Sequence, residues 1–424
     1  SYWYDNNLKT ALYHTRLSII DESINGNQPM LSADKSMIIS YNGEVYNFLE
    51  IKKDLQNKGI KFKSNSDTEV ILESISYYGI FNTAKKLDGM FSFCLFDINK
   101  NKLFLVRDSV GIKPLYWGKQ NNILIFASEL KSISKFKKFN LNIDNQIIQS
   151  YLKYGYIPSP YSIFKDIYKL KPGTILEFDS NNNIKISSYD SLSLKPKFFN
   201  EDNFEDTANN VNLILNQSVK NTMISDVKIG SMLSSGVDSS LITALMQQNS
   251  TSKINSFTAG FEFDSFDESK NAKKIANYIG TNHQEIIIEN SNIKDMFFSA
   301  IDCYDEPFAD SSQIPTYLIS KYIKNSVKVV LSGDGGDEIF GGYNRYLWAS
   351  KFLKLNNKLH PKLIKLISFI LSHISNYNLE YLSSIVPTKY KFNQLSNKLF
   401  KISRIIKLNE IDKIYDFLIS QTFE

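Results

Sequence analysis

From about residue 204 the chain settles into a regular alternation, and no other feature limits its possible folds so strongly. Short apolar runs, "KIGSML", "KINSFTAGF", "QEIIIE" and "VKVVLSG", are separated by helical stretches, "DSSLITALMQQ", "DESKNAKKIANYIG" and "TYLISKYIK". Parallel strands need a long crossover between them, usually a helix. The pattern therefore predicts a parallel α/β sheet with helices on its faces. In such sheets ligands sit outside the carboxyl ends of the strands. Two of those ends carry unusual loops, residues 234–239 and "SGDGGDE" at 332–338.

The first loop lies within "LSSGVDSSL", residues 233–241. Ile229, Met232 and Leu233 lead into it as a buried strand, and Leu241, Ile242, Ala244 and Leu245 follow on one helical face. At a helix start, free N–H groups and the helix dipole form an anion site. Small residues let the backbone approach a phosphate, and hydroxyls add donors. Asp238 would repel a bare phosphate but suits a magnesium ion that the phosphate shares. No lysine follows the glycine, so this is not the Gly-Lys-Ser/Thr phosphate loop. A plain serine N-cap explains the same residues, and the local pattern leaves both readings open.

The second loop opens "LSGDGGDEIFGGYNRY", residues 331–346, which joins a glycine-rich backbone to Asp334, Asp337 and Glu338. A capped turn accounts for it. Acids facing a phosphate loop also suit a metal or a cationic transition state. "CYDEPFADSSQIPTYLISK", residues 303–321, places Asp305, Glu306 and Asp310 between helices. It reads as a solvated loop or, near a nucleotide, as part of an acceptor pocket. Beyond Tyr343 the chain reads as Lys-rich amphipathic helices. A solvated helical layer over the sheet explains these better than a membrane-surface face does.

Residues 1–190 read mainly as strands with two helices, a layered α+β domain with antiparallel sheets. "FLEIKKDLQNKG" and "DTEVILESISYYG" have helical spacing, each closed by a glycine. Asn99–Asn101 and Gln120–Asn122 read as hairpin turns. "DSLSLKPKFFNED", residues 190–202, reads as a linker. Arg16 can fork onto a carboxylate, Asn42 with the Gly43 N–H can stabilise an oxyanion, and Asp67 can bind an ammonium group. Each has a plainer reading: a buried salt bridge for Arg16, a hairpin turn for Asn42–Gly43, and a helix cap for Asp67.

A length of 424 residues allows two or three domains. The formal charge of +5 is small for that size and makes no case for nucleic acid. Only Cys94 and Cys303 are present, which argues against a disulfide scaffold and fits a reducing, cytoplasmic compartment. No cluster has zinc-ligand spacing, and no apolar run is long enough to span a membrane. The chain opens at "SYWYDNN" without Met and reads as a fragment or a processed chain.

The loop 234–239 resembles the S-G-G-x-D-S loop of ATP pyrophosphatases, with Ser235 in place of the first glycine. "RLSIID", "NGEVYN", "SDTEVI", "LDGMFSF", "RDSVGIKPLY", "LSSGVDSS" and "SGDGGDEIFGGY", in this order, resemble glutamine-dependent asparagine synthetases over nearly all of residues 1–346. The stretch after 346 departs from them. The resemblance implies an N-terminal-nucleophile (αββα) glutaminase over 1–190, a linker over 191–203, and an ATP-pyrophosphatase-type synthetase over 204–424.

By the same resemblance, Arg16, Leu17, Ser18, Ile19, Ile20, Asn42, Gly43, Glu44 and Asp67 hold glutamine, with Asn42 and Gly43 as the oxyanion hole. Leu233 and Ala259 line the adenosine site. Ser234, Ser235, Gly236 and Ser239 grip pyrophosphate, Asp238 holds Mg²⁺, and Ser332 and Gly333 contact AMP. Asp334 stands where the family has glutamate, and Asp337 follows the family pattern. The implied partners are ATP, glutamine and aspartate, and a homodimer is an allowed assembly.

The implied reaction is ATP + aspartate + glutamine → asparagine + AMP + pyrophosphate + glutamate, with ammonia passing through a tunnel. Alternatives are amidation of another carboxylate, such as one on a surface sugar, and a non-catalytic nucleotide-binding homologue. The family's nucleophile is an N-terminal cysteine whose own amine is the base. Cys94 lies in an apolar strand run, and only "SYWYDNNLKTALYHT" precedes Arg16. The expectation is therefore a fragment, short at both ends, that does not hydrolyse glutamine as given.

Overall fold

The computed structural model describes residues 1–191, 203–261, 267–288, 290–375 and 395–421. Most of the expected linker, residues 192–202, lies outside them. The chain divides into two compact units, residues 1–148 with 157–333, and residues 149–156 with 334–424.

The first unit begins with two short strands, β1 (Tyr2–Asp5) and β2 (Thr10–Tyr13), paired antiparallel. A second sheet is built from β3 (Met30–Leu31), β4 (Met37–Val45), β5 (Gly89–Asp97), β6 (Lys102–Arg107), β10 (Thr174–Phe178) and β11 (Ile184–Ser188). Its order is β11-β10-β6-β5-β4-β3. A three-stranded sheet joins β7 (Tyr116–Gln120), β8 (Ile123–Ala127) and β9 (Ile167–Lys169).

Strand β5 shows why these layers form. Its residues alternate between two apolar cores, so one short strand needs cover on both faces. Phe91, Phe93 and Leu95 face a core with helices α1 (Phe48–Asn57), α2 (Asp67–Tyr78) and α3 (Ile80–Lys86). Cys94 and Phe96 face a second core with Trp117, Leu124 and Phe126 of the three-stranded sheet. Phe91, Phe93 and Phe96 are each at most 2% exposed, and burying one contributes roughly 1.5–3 kcal/mol. Helix α4 (Leu130–Ser134) packs on β8, giving the αββα order.

The two expected helices of this half are α1 and α2, and glycines follow both, Gly59 at φ +86° and Gly79 at φ +80°. The count of two was too low. Helices α3, α4 and α5 (Asn145–Tyr154) are also present; α3 and α4 are too short to show helical periodicity. The hairpin turns are where expected, with positive φ at Asn101, Asn121 and Asn122.

The α/β pattern is present as predicted. Helix α6 (Phe204–Thr222) leads to β12 (Ile229–Met232), α7 (Val237–Gln248), β13 (Asn255–Phe261), α8 (Ser269–Ile279) and β14 (Asn282–Ile288). Then follow α9 (Asn290–Cys303), α10 (Gln313–Ile323) and β15 (Val329–Leu331). All pairs are parallel, in the order β14-β13-β12-β15. The chain thus leaves β12 toward β13 and later returns to its other side. That makes a topological switch point between β12 and β15, the usual place for a ligand crevice.

The second unit is helical. It contains α11 (Gly336–Phe340), α12 (Asn344–Lys358), α13 (Pro361–Ser375), α14 (Leu395–Ile405) and α15 (Ile411–Ile419). Ala349, Phe352, Ile405 and Ile414 form its core. Lys153 and Tyr154 both donate to Asp416, at 2.6 and 2.8 Å. No helix among the described residues is long and apolar enough to cross a membrane.

Candidate active sites

Within the first unit a cavity of about 920 Å³ opens between β2, the segment 14–20, β4, β5 and β8. It gathers Arg16, Leu17, Ile19, Ile20, Asn42, Gly43, Glu44 and Asp67. Ser18, expected with them, is not among the lining residues.

Arg16 forms no salt bridge among the described residues. Its guanidinium donates to backbone carbonyls instead, of Ser23 at 3.1 Å, Ile20 at 3.0 Å and Asp21 at 2.5 Å. The segment 16–23 is thereby curled around its own arginine. Asn42 and Gly43 lie inside β4, not in a turn. A Cβ on Gly43 would sit 2.3 Å from the Met90 carbonyl oxygen, so only glycine lets β4 and β5 approach this closely. The Asn42 side-chain amide donates to Ser128 Oγ at 3.1 Å.

Ser66, not Asp67, caps α2 by accepting from the Thr68 N–H. Asp67 is the first helical residue, and its Oδ2 accepts from Tyr41 Oη at 2.7 Å and from the Val45 N–H at 3.1 Å. Burial raises its pKa against those bonds. Glu44 is 8% exposed, and its Oε1 has no hydrogen-bond partner among the described residues. Burial first, and then the Asp67 charge, raise its pKa from 4.5 to about 8, while Lys113 opposes the shift. Two buried carboxyls with so little cation nearby are suited to an ammonium group.

Cys94 lies in the cavity wall but is 2% exposed, and burial pushes its thiol pKa well up. It is a packed side chain rather than a poised nucleophile. Sequence reasoning gave no role to Ser128, Tyr41 or His14. His14 Nε2 meets the Tyr41 carbonyl oxygen at 2.9 Å, and its buried Nδ1 has no partner among the described residues. His14 lies two residues before Arg16 and Tyr41 directly precedes Asn42, whereas Ser128 joins the site through the fold alone.

At the switch point, Gly236 is the N-cap of α7 and supplies no side-chain cap. The serine-cap reading of 234–239 therefore fails. The hydroxyls face one another instead, with Ser234 Oγ and Ser239 Oγ 2.8 Å apart, and the Gly236 N–H donates to Ser234 Oγ. The N–H groups of Val237, Asp238 and Ser239 have no hydrogen-bond partner among the described residues, and neither does the Asp238 carboxylate. Glu268 Oε2 accepts from the N–H and Oγ of Ser235, an anion already seated on two loop donors.

Gly333, on the loop after β15, packs against the same turn; a Cβ there would lie 2.7 Å from the Ser239 nitrogen. Ser332 precedes it. Leu233 is 2% exposed and packs against Ala272 and Ala276, so its side chain is not offered to a nucleotide. Ala259 lies on β13. No group of three or more His, Cys, Asp or Glu among the described residues could hold a metal by itself. Magnesium often takes only one or two carboxylates together with substrate phosphates, so a lone unpaired Asp238 fits it.

Asp334 and Asp337 belong to the second unit. Asp337 lies in the first turn of α11, with its Oδ1 close over Gly342, where a Cβ would come within 2.0 Å. Glu338 beside it accepts from Tyr343 Oη at 2.6 Å, which lowers its pKa.

Two acids of the segment 303–321, Asp305 and Glu306, are engaged away from the expected acceptor pocket. Asp305 accepts from the Leu130 N–H, and Glu306 accepts from the Ile163 N–H and pairs with Lys169. Asp310 accepts from the Ser312 N–H.

Residues 1–190 match the glutamine amidotransferase domain family, and residues 210–401 match the asparagine synthase family. A putative glutamine-hydrolysing asparagine synthetase of Methanocaldococcus jannaschii is 37% identical over 360 residues, covering 80% of this chain and 68% of that protein. The chain belongs to the glutamine-hydrolysing asparagine synthetase family, a ligase family. A Bacillus subtilis member is 36% identical over 78% of this chain but is matched over only 51% of its own length. Among solved structures, Bacillus subtilis glutamine phosphoribosylpyrophosphate amidotransferase aligns at 16% identity and a TM-score of 0.33, covering 65% of this chain and 51% of that one.

Proposed function

We propose that the protein containing this chain converts aspartate to asparagine through a β-aspartyl-AMP intermediate, with glutamine as nitrogen source and AMP and pyrophosphate as products. Residues 1–190 take the glutaminase role, 191–203 the linker, and 204–424 the synthetase role. The observation that carries the reading is the start of α7. Three first-turn amides without partners among the described residues stand beside Asp238, likewise unpaired among them, at a switch point of a parallel sheet.

A carboxylate is a poor electrophile for ammonia, and adenylation gives its oxygen a good leaving group. The first-turn N–H groups of α7, with Ser234 and Ser239, bind the departing pyrophosphate. Asp238, together with the phosphates, would hold magnesium, which would supply charge neutralisation there. In the other site the Glu44 and Asp67 carboxyls take the glutamine ammonium, and Asn42 with Gly43 stabilises the oxyanion. On family resemblance Ser332, Gly333 and Ala259 are assigned to the nucleotide site, Leu233 through its backbone, and Asp334 and Asp337 are assigned a catalytic role. Both cysteines are free, which supports a reducing compartment, the cytoplasm.

The test is a screen of carboxylates for AMP formation with ammonia as nitrogen source. Aspartate-dependent AMP and pyrophosphate are expected. Acceptor-dependent ADP overturns adenylation, and AMP formed only with another carboxylate overturns aspartate.

A further inference from the structure

The loop between α9 and α10 sends two carboxylates into the glutaminase half. The Asp305 and Glu306 side chains are only 10% and 11% exposed, so both are largely withdrawn from water. Glu306 accepts from the Ile163 N–H at 2.8 Å, pairs with Lys169 at 2.6 Å, and accepts from Tyr116 Oη at 3.3 Å. It fastens the loop to the β7–β9 ladder. Asp305 does something more local. Its Oδ2 accepts from the Leu130 N–H at 2.6 Å, and its Oδ1 lies 3.4 Å from Lys131 Nζ.

Leu130 is the first residue of α4, and its N-cap, Glu129, makes no side-chain capping bond. The helix is thus capped by an acid 175 residues away in sequence. Lys131 reinforces the junction by donating to the carbonyls of Asp302 and Cys303. Two residues before Leu130 is Ser128, whose Oγ accepts the Asn42 side-chain amide. Ser128 and Glu129 also line the cavity.

We propose that Asp305 is a positioning residue for the oxyanion amide: by capping α4 at Leu130 it fixes Ser128, and Ser128 orients Asn42. This rests on the reading of Asn42 and Gly43 as the oxyanion hole. A charge-assisted bond to a backbone N–H is short and strong, and a buried donor that loses it is left exposed to its full desolvation cost. Without Asp305 the turn 127–130 gains freedom, and the amide that must meet the oxyanion loses its orientation. Full loss of one oxyanion donor costs about 10²–10³ in kcat, so partial misorientation is expected to cost about tenfold.

The experiment compares Asp305→Ala and Asp305→Asn in the intact protein. Asp305→Ala lowers the kcat of glutamate release about tenfold, changes the glutamine KM less than about threefold, and leaves ammonia-supported synthesis within about twofold. Asp305→Asn keeps an oxygen for the Leu130 N–H and restores glutamate release to within about threefold of wild type. Amide hydrogen exchange over residues 127–132 speeds up in Asp305→Ala and not in Asp305→Asn. Wild-type glutamate release in Asp305→Ala overturns the proposal, as does a parallel loss of ammonia-supported synthesis, which would make Asp305 scaffold. Should the wild-type protein itself release no glutamate, the glutamine reading fails on its own. Exchange then decides the anchoring, and unchanged protection over 127–132 overturns it.

Discussion

Glu44 gives the sharpest quantitative test of the glutamine site. Its carboxyl is buried, one oxygen has no partner among the described residues, and its pKa stands at about 8 instead of 4.5. The charged groups that act on it are Asp67, which raises the pKa, and Lys113, which lowers it. If glutamine binds by its ammonium, binding needs Glu44 ionised. At pH 7 about one molecule in ten meets that condition, and at pH 6 about one in a hundred. The affinity should therefore weaken about tenfold, or ~1.4 kcal/mol, for each pH unit below 8. Calorimetric titration with glutamine from pH 6 to 8.5, in two buffers of different ionisation enthalpy, should show nearly one proton released per glutamine at pH 7. Glu44→Gln should bind weakly and lose the pH slope. The stability of the free protein provides a second readout. The folded-state pKa lies above the unfolded one, so the fold carries no charging penalty below pH 4.5, a growing one between 4.5 and 8, and a constant one above. The shift from 4.5 to about 8, at ~1.36 kcal/mol per pH unit, caps that penalty at about 5 kcal/mol. Water in the open cavity reduces it. Denaturant unfolding at pH 5 and pH 9 should then show Glu44→Gln gaining stability relative to wild type at the higher pH. A pH-independent glutamine Kd with no proton release, or an unaltered slope in Glu44→Gln, would refute the reasoning.

Asp238→Asn should abolish ammonia-supported as well as glutamine-supported synthesis while glutamate release largely survives; near-normal synthesis would remove Asp238 from the chemistry. Asp108→Ala should cost about 4 kcal/mol in denaturant unfolding, because a carboxylate 1% exposed accepts from the N–H groups of Phe91, Val110, Gly111, Ile112 and Lys113. A loss below about 1 kcal/mol would contradict that. Ser66→Ala should cost about 1 kcal/mol through the lost cap on α2, measured the same way.

The parallel sheet was legible in the sequence because each buried strand is bounded by an amphipathic helix, and the two periods differ. The strand–loop–helix at 229–248 was legible for the same reason. What local pattern left undecided was the meaning of single polar residues, since that depends on neighbours distant in sequence. Asn42–Gly43 has turn composition, yet the ladder to β5 makes it strand interior. Arg16 has the chemistry of a carboxylate partner, yet three carbonyls of its own loop surround it. "RDSVGIKPLY" served only as a family marker, although Arg107 and Asp108 build its turn. Arg107 donates to the carbonyls of Gly111, Lys113 and Leu170, while Asp108 gathers the amides. Asp305 and Glu306 looked like pocket acids because the amides they meet, Leu130 on α4 and Ile163 respectively, give no signal of their own.

The two proposed sites of the first unit are joined by a short length of chain. The Asp226 N–H donates to the Ile19 carbonyl at 3.1 Å, and the Asp21 N–H donates to Asp226 Oδ2 at 2.8 Å. Asp226 thus holds the segment whose carbonyls cradle Arg16. Three residues later β12 begins, and Ser234 follows two residues after its end. Eight residue steps, at roughly 3.3 Å each, place the glutamine-side anchor within about 26 Å of the phosphate loop along one strand. Lys328, immediately before β15, pairs with Glu22 at 2.6 Å and ties the neighbouring strand to the same segment. The segment proposed to recognise glutamine is therefore held at the amino ends of the two strands whose carboxyl ends carry the loops 234–239 and 332–333. A shift of β12 against β15 would disturb both the Arg16 cradle and the packing of Gly333 on Ser239. Rigid strands make such a shift costly, and that rigidity lets one sheet hold both sites in register.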